Sequence, residues 1–132
     1  MIKRTIYREI VKAMANYPAI LITGARQVGK TTLAEQLRKE YGFSYVDLTD
    51  RIQRQMAIND PRYFIESLGY PLVIEEIQYA PVLLELIEAI VNEKRRLDND
   101  SRCQFILTGP QRFAIMKDIG ESMTGRAAIL DM

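Results

Sequence analysis

Gly24-Ala25-Arg26-Gln27-Val28-Gly29-Lys30-Thr31 stands between the apolar run Ala19-Ile20-Leu21-Ile22-Thr23 and the helix-patterned Thr32-Leu33-Ala34-Glu35-Gln36-Leu37. Strand, G-x-x-x-x-G-K-[ST], helix is the setting in which a phosphate-binding loop has physical meaning. A buried strand delivers the chain to a sharp turn, and two glycines let the backbone approach a phosphate closely. Successive N–H groups, with the free amides and dipole of the following helix, then attract the anion. Lys30 supplies a mobile cation for the β/γ-phosphates, and the Thr31 hydroxyl can ligate Mg²⁺. With four constrained positions, a chance match arises at roughly 10⁻⁵ to 10⁻⁴ per starting point. The stretch therefore predicts a nucleotide site built from Gly24, Ala25, Arg26, Gln27, Val28, Gly29, Lys30, Thr31 and Thr32.

The rest of the chain is bounded by its size and composition. At 132 residues, with 48% hydrophobic and 27% charged residues, one globular domain over residues 1–132 with a real core is expected. A formal charge of +1 gives no general attraction to nucleic acid or anionic membranes. Cys103 is the single cysteine and there is no histidine, which excludes an intrachain disulfide, a Cys/His zinc site and a Ser-His-Asp triad. Cys103 precedes an apolar run and is expected to be buried beside the core. Met1-Ile2-Lys3-Arg4 does not read as a signal peptide, and no run approaches 18 apolar residues. The expected location is the cytoplasm, with no membrane partner.

Residues 3–17 place Ile6, Ile10 and Met14 at helical spacing, and Pro18 ends that helix before the first strand. After the loop, Leu33, Leu37 and Tyr41 form one stripe, stopped by Gly42. Residues 43–48 alternate as a short second strand, and residues 50–59 are helix-tolerant but mixed. Asp60-Pro61 reads as a new helix start, with Asp as cap and Pro in the first turn, running to Gly69. Leu72-Val73-Ile74 is a third strand that meets Glu75-Glu76.

That acidic pair is the second piece of chemistry. An apolar strand ending in carboxylates, placed after a phosphate loop, reads as a Walker B element. Glu75 falls at the metal position and Glu76 at the position that polarises the attacking water. Aspartate is the more usual metal residue, and glutamate's extra methylene moves the carboxylate outward by ~1.5 Å. The bland reading is an acidic pair that closes a strand at the surface.

Beyond Pro81, Leu83, Ile87, Ile90 and Leu97 lie along one side of a helix ending in Glu93-Lys94-Arg95-Arg96. The basic run suits a helix terminus better than a nucleic-acid patch. Gln104-Phe105-Ile106-Leu107-Thr108-Gly109 is a fourth buried strand, residues 110–119 suggest a helix, and Ala127-Ala128-Ile129-Leu130 is a fifth strand.

Four blocks now occur in one order: residues 24–33, Glu76-Ile77-Gln78-Tyr79-Ala80-Pro81, Phe105-Ile106-Leu107-Thr108-Gly109, and Glu121-Ser122 followed by Gly125-Arg126. In order and spacing they resemble a family of prokaryotic AAA-domain ATPases, within the AAA/STAND-like branch of ASCE P-loop proteins. The resemblance runs from about residue 2 to 130. Members are usually longer, with a helical region and a nuclease-like C-terminal domain, so the chain is expected to be a truncated, isolated ATPase core.

The resemblance assigns Lys30 and Thr31 to phosphate and metal, and Glu76 to the water. Thr108, at the end of the strand between the two Walker strands, takes a sensor role or is a plain strand-end threonine; Gln111 is a second candidate. Arg126 contacts the γ-phosphate or a neighbouring subunit, or anchors a helix to a strand. A homo-oligomer would need an arginine supplied in trans, for which Arg112 and Arg126 are the candidates. Glu75 in place of the family's Asp bears on Mg²⁺ geometry, and Pro110 in place of a serine bears on sensing.

The implied fold is a three-layer α/β/α P-loop NTPase sandwich with a mainly parallel five-stranded sheet in the order 5-1-4-3-2. Such sheets bind ligands at their carboxyl edge, where Lys30, Glu75, Glu76 and Thr108 would meet. The expected cofactors are ATP and Mg²⁺, since no Asn-Lys-x-Asp segment for guanine is present. The leading expectation is an ATPase using Glu76; the alternative is a hydrolysis-poor, nucleotide-dependent switch that docks a protein partner. A small-molecule kinase is disfavoured by the lack of a recognisable lid. A nucleic-acid partner would act through the C-terminal region that members carry and is not supported by these residues.

Overall fold

A computed structural model describes residues 4–24, 30–98, 103–110 and 127–131. The backbone of residues 4–6, 30–32, 98, 127 and 131 is included, without their side chains. Helix α1 (Arg4–Met14) precedes β1 (Ala19–Thr23), and α2 (Lys30–Tyr41) leads to β2 (Ser44–Asp47). Two short helices, α3 (Arg51–Asn59) and α4 (Pro61–Leu68), then reach β3 (Leu72–Glu75). A 3₁₀ turn (Ile77–Tyr79), α5 (Val82–Asp98), β4 (Phe105–Gly109) and β5 (Ala127–Asp131) complete the described elements.

All four strand pairings are parallel, and the order is β2-β3-β4-β1-β5. Read from the other side it is 5-1-4-3-2, as expected from the sequence. The sheet is buried on both faces, so its central strands read as continuous apolar runs. Alternation then divides them. Ala19, Leu21, Ile74, Phe105 and Leu107 join Phe64, Ile65, Leu83, Ile87 and Val91 of α4 and α5. Ile20, Ile22, Val73 and Ile106 join Ile10 of α1 and Leu33 and Leu37 of α2. Two helical layers thus enclose one sheet.

Local chemistry sets the boundaries. Gly42 lies at φ 73° and donates its N–H to Arg38, a left-handed helix stop that glycine adopts without steric cost. Asp60 accepts from the Tyr63 amide with Pro61 next to it, which confirms the predicted helix start. The mixed stretch 50–59 is helical because Asp50 caps it, accepting from the amides of Ile52 and Gln53. Leu97 departs from expectation, being 65% exposed. The buried stripe of α5 is Leu83, Ile87, Ile90 and Val91, and the last turn of the helix carries Leu97 clear of that stripe.

Candidate functional site

The strand register brings the polar strand ends together at one edge of the sheet. Asp47 pairs with Glu75, Ile74 with Leu107, and Ile22 with Thr108, so Asp47, Glu75, Thr108 and Ile22 lie on one rung. The next rung places Thr23 beside Gly109 on one side and Asp131 on the other. Gly24 follows at φ 119°, where the first glycine of the loop motif was expected to turn the chain. The backbone re-enters as helix at Lys30, so the free amides of the first turn of α2 belong to the motif's own residues. The polar ends of β1, β3 and β4 and the start of α2 are thus parts of one edge.

Glu76 has an unusual backbone. At φ 59° and ψ 56° it is the one non-glycine residue with positive φ among the described residues. That conformation costs about 1–3 kcal/mol for such a residue and persists only where the surroundings impose it. Here its N–H donates to Thr108 Oγ1 at 3.1 Å, and its carbonyl accepts from the Tyr79 amide at 3.1 Å. Before it, the Glu75 carbonyl accepts from the Leu48 amide at 3.0 Å. After it, Ile77 is fully buried and fixes the 3₁₀ turn to the core. The chain is locked on both sides of the carboxylate. Glu76 itself is only 6% exposed, and Thr108 only 1%.

Two further described side chains join this shell. Gln78 donates from Nε2 to Glu76 Oε2 at 2.5 Å. Tyr45 donates its hydroxyl to Glu75 Oε2 at 2.9 Å. Burial, and then the bond to Glu75 and its charge, push the Tyr45 phenol well above its ordinary value, so it stays a donor across the physiological range. Asp47 is close by but occupied, since it accepts from the Thr49 amide at 3.0 Å and the Thr49 hydroxyl at 2.8 Å. Farther out, Arg54 ties the turns together: it donates to the carbonyls of Leu48 and Thr49, and its guanidinium lies 4.3 Å over the Tyr79 ring.

Of the residues singled out from the sequence, Glu75, Glu76 and Thr108 come together, and Gly24, Lys30, Thr31 and Thr32 border the same edge by their backbone. The side chains of Lys30, Thr31 and Thr32, and the whole of Ala25, Arg26, Gln27, Val28, Gly29, Gln111, Arg112 and Arg126, lie outside the described residues. Sequence reasoning missed Tyr45 and Gln78. The first was visible as a β2 residue two positions from the strand end, but only the β2–β3 register aims it at Glu75. The second sat inside a quoted motif, and its contact depends on the left-handed turn at Glu76.

Comparison with known proteins agrees with this architecture. Residues 16–132 match a family model described as "AAA domain". Uncharacterized proteins of Mycobacterium tuberculosis (Rv2008c) and Mycobacterium bovis (Mb2031c) are each 23% identical over 130 residues, which is 98% of this chain and 28% of theirs. The chain therefore spans little more than a quarter of the curated relatives it matches. Among solved structures, a Walker-type ATPase of Pyrococcus abyssi superposes with a TM-score of 0.58 at 17% identity, covering 97% of this chain and 53% of that one. A DNA replication initiation factor gives 0.57 at 16% identity, covering 97% and 44%. At these identities the superpositions speak for the fold alone. Among the described residues no helix is long and apolar enough to cross a membrane. The family match, over most of the chain, carries the assignment: the chain belongs to the AAA domain family of P-loop ATPases.

Proposed function

We propose that the chain binds Mg-ATP at the carboxyl edge of the sheet and hydrolyses it, with Glu76 orienting the attacking water. The observation that carries this reading is the backbone of Glu76. A buried carboxylate held in a left-handed turn, with its own N–H fixed by Thr108, costs stability and is aimed by the fold.

The residues present suit magnesium. Glu75 is a buried carboxylate on the edge, with one oxygen steadied by Tyr45. Among the described residues there is no cluster of three or more metal-ligating side chains. A buried edge carboxylate such as Glu75 suits an ion held by one or two protein oxygens plus phosphates and water, as Mg²⁺ usually is. Glu75 and the Thr31 hydroxyl would hold it, and when bound it would neutralise charge developing on the β- and γ-phosphate oxygens.

The residues then divide the work. The loop 24–31 and the first turn of α2 bind phosphate through main-chain amides, and Lys30 adds charge to the β/γ oxygens. Glu76 accepts a hydrogen from water and directs its lone pair. Thr108 fixes the Glu76 backbone and stands level with Glu75, where it can also sense the γ-phosphate. Arg126 is the further candidate for the γ-phosphate, in this chain or from a neighbouring copy.

A second reading is favoured by Glu75 and Pro110, which depart from the family's usual Asp and Ser: a switch that binds ATP, turns it over slowly and docks a protein partner in its bound form. One experiment separates the two. The chain is titrated with Mg-ATP beside Lys30→Ala, and bound ATP is then followed through a single turnover. Binding by the parent that weakens about 100-fold in Lys30→Ala, followed by conversion to ADP, supports the enzyme. Binding without conversion supports the switch. Equal binding by Lys30→Ala, or none by the parent at millimolar Mg-ATP, removes both.

A further inference from the structure

Tyr45 and Glu75 lie on neighbouring strands but on different rungs. The register pairs Glu75 with Asp47 and sets Tyr45 beside Val73, two residues back from the carboxyl edge. Side chains two apart on a strand share a face, so Tyr45, Val73 and Glu75 stand on one side of the sheet. It is the side that α2 covers, since Val73 shares a core cluster with Leu33 and Leu37, and α2 opens at Lys30 on this same edge. The two rungs are about 6.6 Å apart along the strands, and the tyrosine spans them. Its ring packs on that cluster, and its hydroxyl donates to Glu75 Oε2 at 2.9 Å.

A phenol anchored by its ring is a fixed donor. The strand beneath it is fixed as well: the Ser44 amide donates to the Pro71 carbonyl and the Leu48 amide to the Glu75 carbonyl, so β2 is tied to β3 at both ends. Glutamate has one more rotatable bond than aspartate, and its carboxylate can take several places about one Cα. A carboxylate offers about four lone-pair sites, so an oxygen that accepts from a phenol can still ligate a cation. Mg²⁺ tolerates little departure from octahedral geometry, so the aim of that carboxylate decides how well it serves the ion. We propose that Tyr45 is a positioning residue for magnesium, its hydroxyl holding the Glu75 carboxylate where it can ligate the ion of Mg-ATP. This rests on the assignment of Glu75 to the metal. Hydrogen-bond partners that orient a metal-ligating side chain commonly matter almost as much as the ligand itself.

A merely structural tyrosine and a positioning tyrosine differ in what they do to the effect of Mg²⁺. Equilibrium ATP binding is measured in excess Mg²⁺ and in EDTA for the parent, Tyr45→Phe, Glu75→Gln and the double variant Tyr45→Phe/Glu75→Gln. The ratio of the two affinities is the gain due to Mg²⁺, and it needs no turnover to read. Tyr45→Phe keeps the ring and removes only the hydroxyl; Tyr45→Met, whose flexible side chain fills the same apolar space, carries the test if the phenylalanine variant does not fold. The expected result is a gain lowered about 10-fold in Tyr45→Phe, with affinity in EDTA unchanged to within about threefold. In the Glu75→Gln background, where the gain is already lost, Tyr45→Phe then changes it by less than about twofold.

A parent-like gain in Tyr45→Phe, or an affinity that falls equally with and without Mg²⁺, overturns the inference; if Glu75→Gln has meanwhile lost the gain, the assignment of Glu75 to the metal stands. A loss from Tyr45→Phe that is as large in the Glu75→Gln background overturns it too, since the phenol would then act independently of Glu75. A full gain in Glu75→Gln, or no ATP binding by the parent, overturns both the inference and the assignment beneath it.

Discussion

The two ends of the same sheet are built on different principles. At the amino end, the polar needs of the strand starts are met chiefly by the main chain. The Cys103 amide donates to the Met14 carbonyl, Gln104 to Pro18, Ser44 to Pro71 and Leu72 to Gln104. Met14, Phe43, Tyr70, Pro71 and Cys103 line a groove there, and the Cys103 thiol is buried with a bond to the Phe105 carbonyl. At the carboxyl end, side chains meet the polar groups: Thr108 serves Glu76, Gln78 serves Glu76, and Tyr45 serves Glu75. A buried polar network that the core could do without, joined to a left-handed glutamate, is where a fold departs from its own stability rules. Such departures mark working sites. Substitutions at the amino end should therefore change stability alone, and those at the carboxyl end should change turnover more than stability.

The largest stability effect is expected at the amino end. Phe105 is fully buried at the start of β4 and packs against Tyr70, with ring centroids 5.7 Å apart. Phe105→Ala should cost about 3–5 kcal/mol, enough to unfold a marginal domain, as read by urea denaturation. Thr108→Val should cost less, about 1–2 kcal/mol, because it removes the acceptor of the Glu76 amide without changing shape. It should nevertheless lower single-turnover hydrolysis by more than Phe105→Leu does, since it releases the Glu76 backbone.

Smaller still, and opposite in sign, is Glu76→Gly. Relief of the left-handed backbone should raise stability by up to about 1 kcal/mol while hydrolysis is lost. A large loss of stability there would mean that the side chain props up the fold, and the contrast between the two ends would fail.

The mildest test is one of pH. Burial pushes the Cys103 thiol from 9.0 to about 12, against a lesser opposing pull from a backbone hydrogen bond at Phe105. The folded chain then holds that proton where the unfolded chain releases it. The stabilisation is full below pH 9 and declines as pH rises toward 12. Denaturant midpoints should fall across that window, and Cys103→Ala should flatten the decline. At neutral pH the native thiol should resist alkylation until denaturant is added.

Much of this architecture was legible in the residues, and what escaped did so for physical reasons. β1, β3 and β4 are buried on both faces, so their unbroken apolar runs could be read directly, and the loop motif fixed their order through the family it resembles. Helix α3 was hard to read because its apolar residues mislead. Ile52, Met56 and Ile58 are exposed and only Ala57 is buried, so no core-facing stripe exists to detect. Leu97 erred in the other direction: it keeps the helical spacing of its stripe but lies beyond the helix's buried part. Glu75, Glu76 and Thr108 were found because an acid pair and a threonine end apolar strands. Tyr45 and Gln78 were not, since one acts across 30 residues and the other through a turn that only glycine would have announced.

The most direct test of the role of Glu76 is the single-turnover conversion of bound Mg-ATP by Glu76→Gln. The substitution keeps size, backbone and a hydrogen-bonding side chain, and removes only the carboxylate. ATP affinity should stay close to the parent's while the rate falls by about 100-fold or more. Conversion at the parent's rate would contradict that role, and would leave the left-handed turn at Glu76 as a feature of the fold and nothing more.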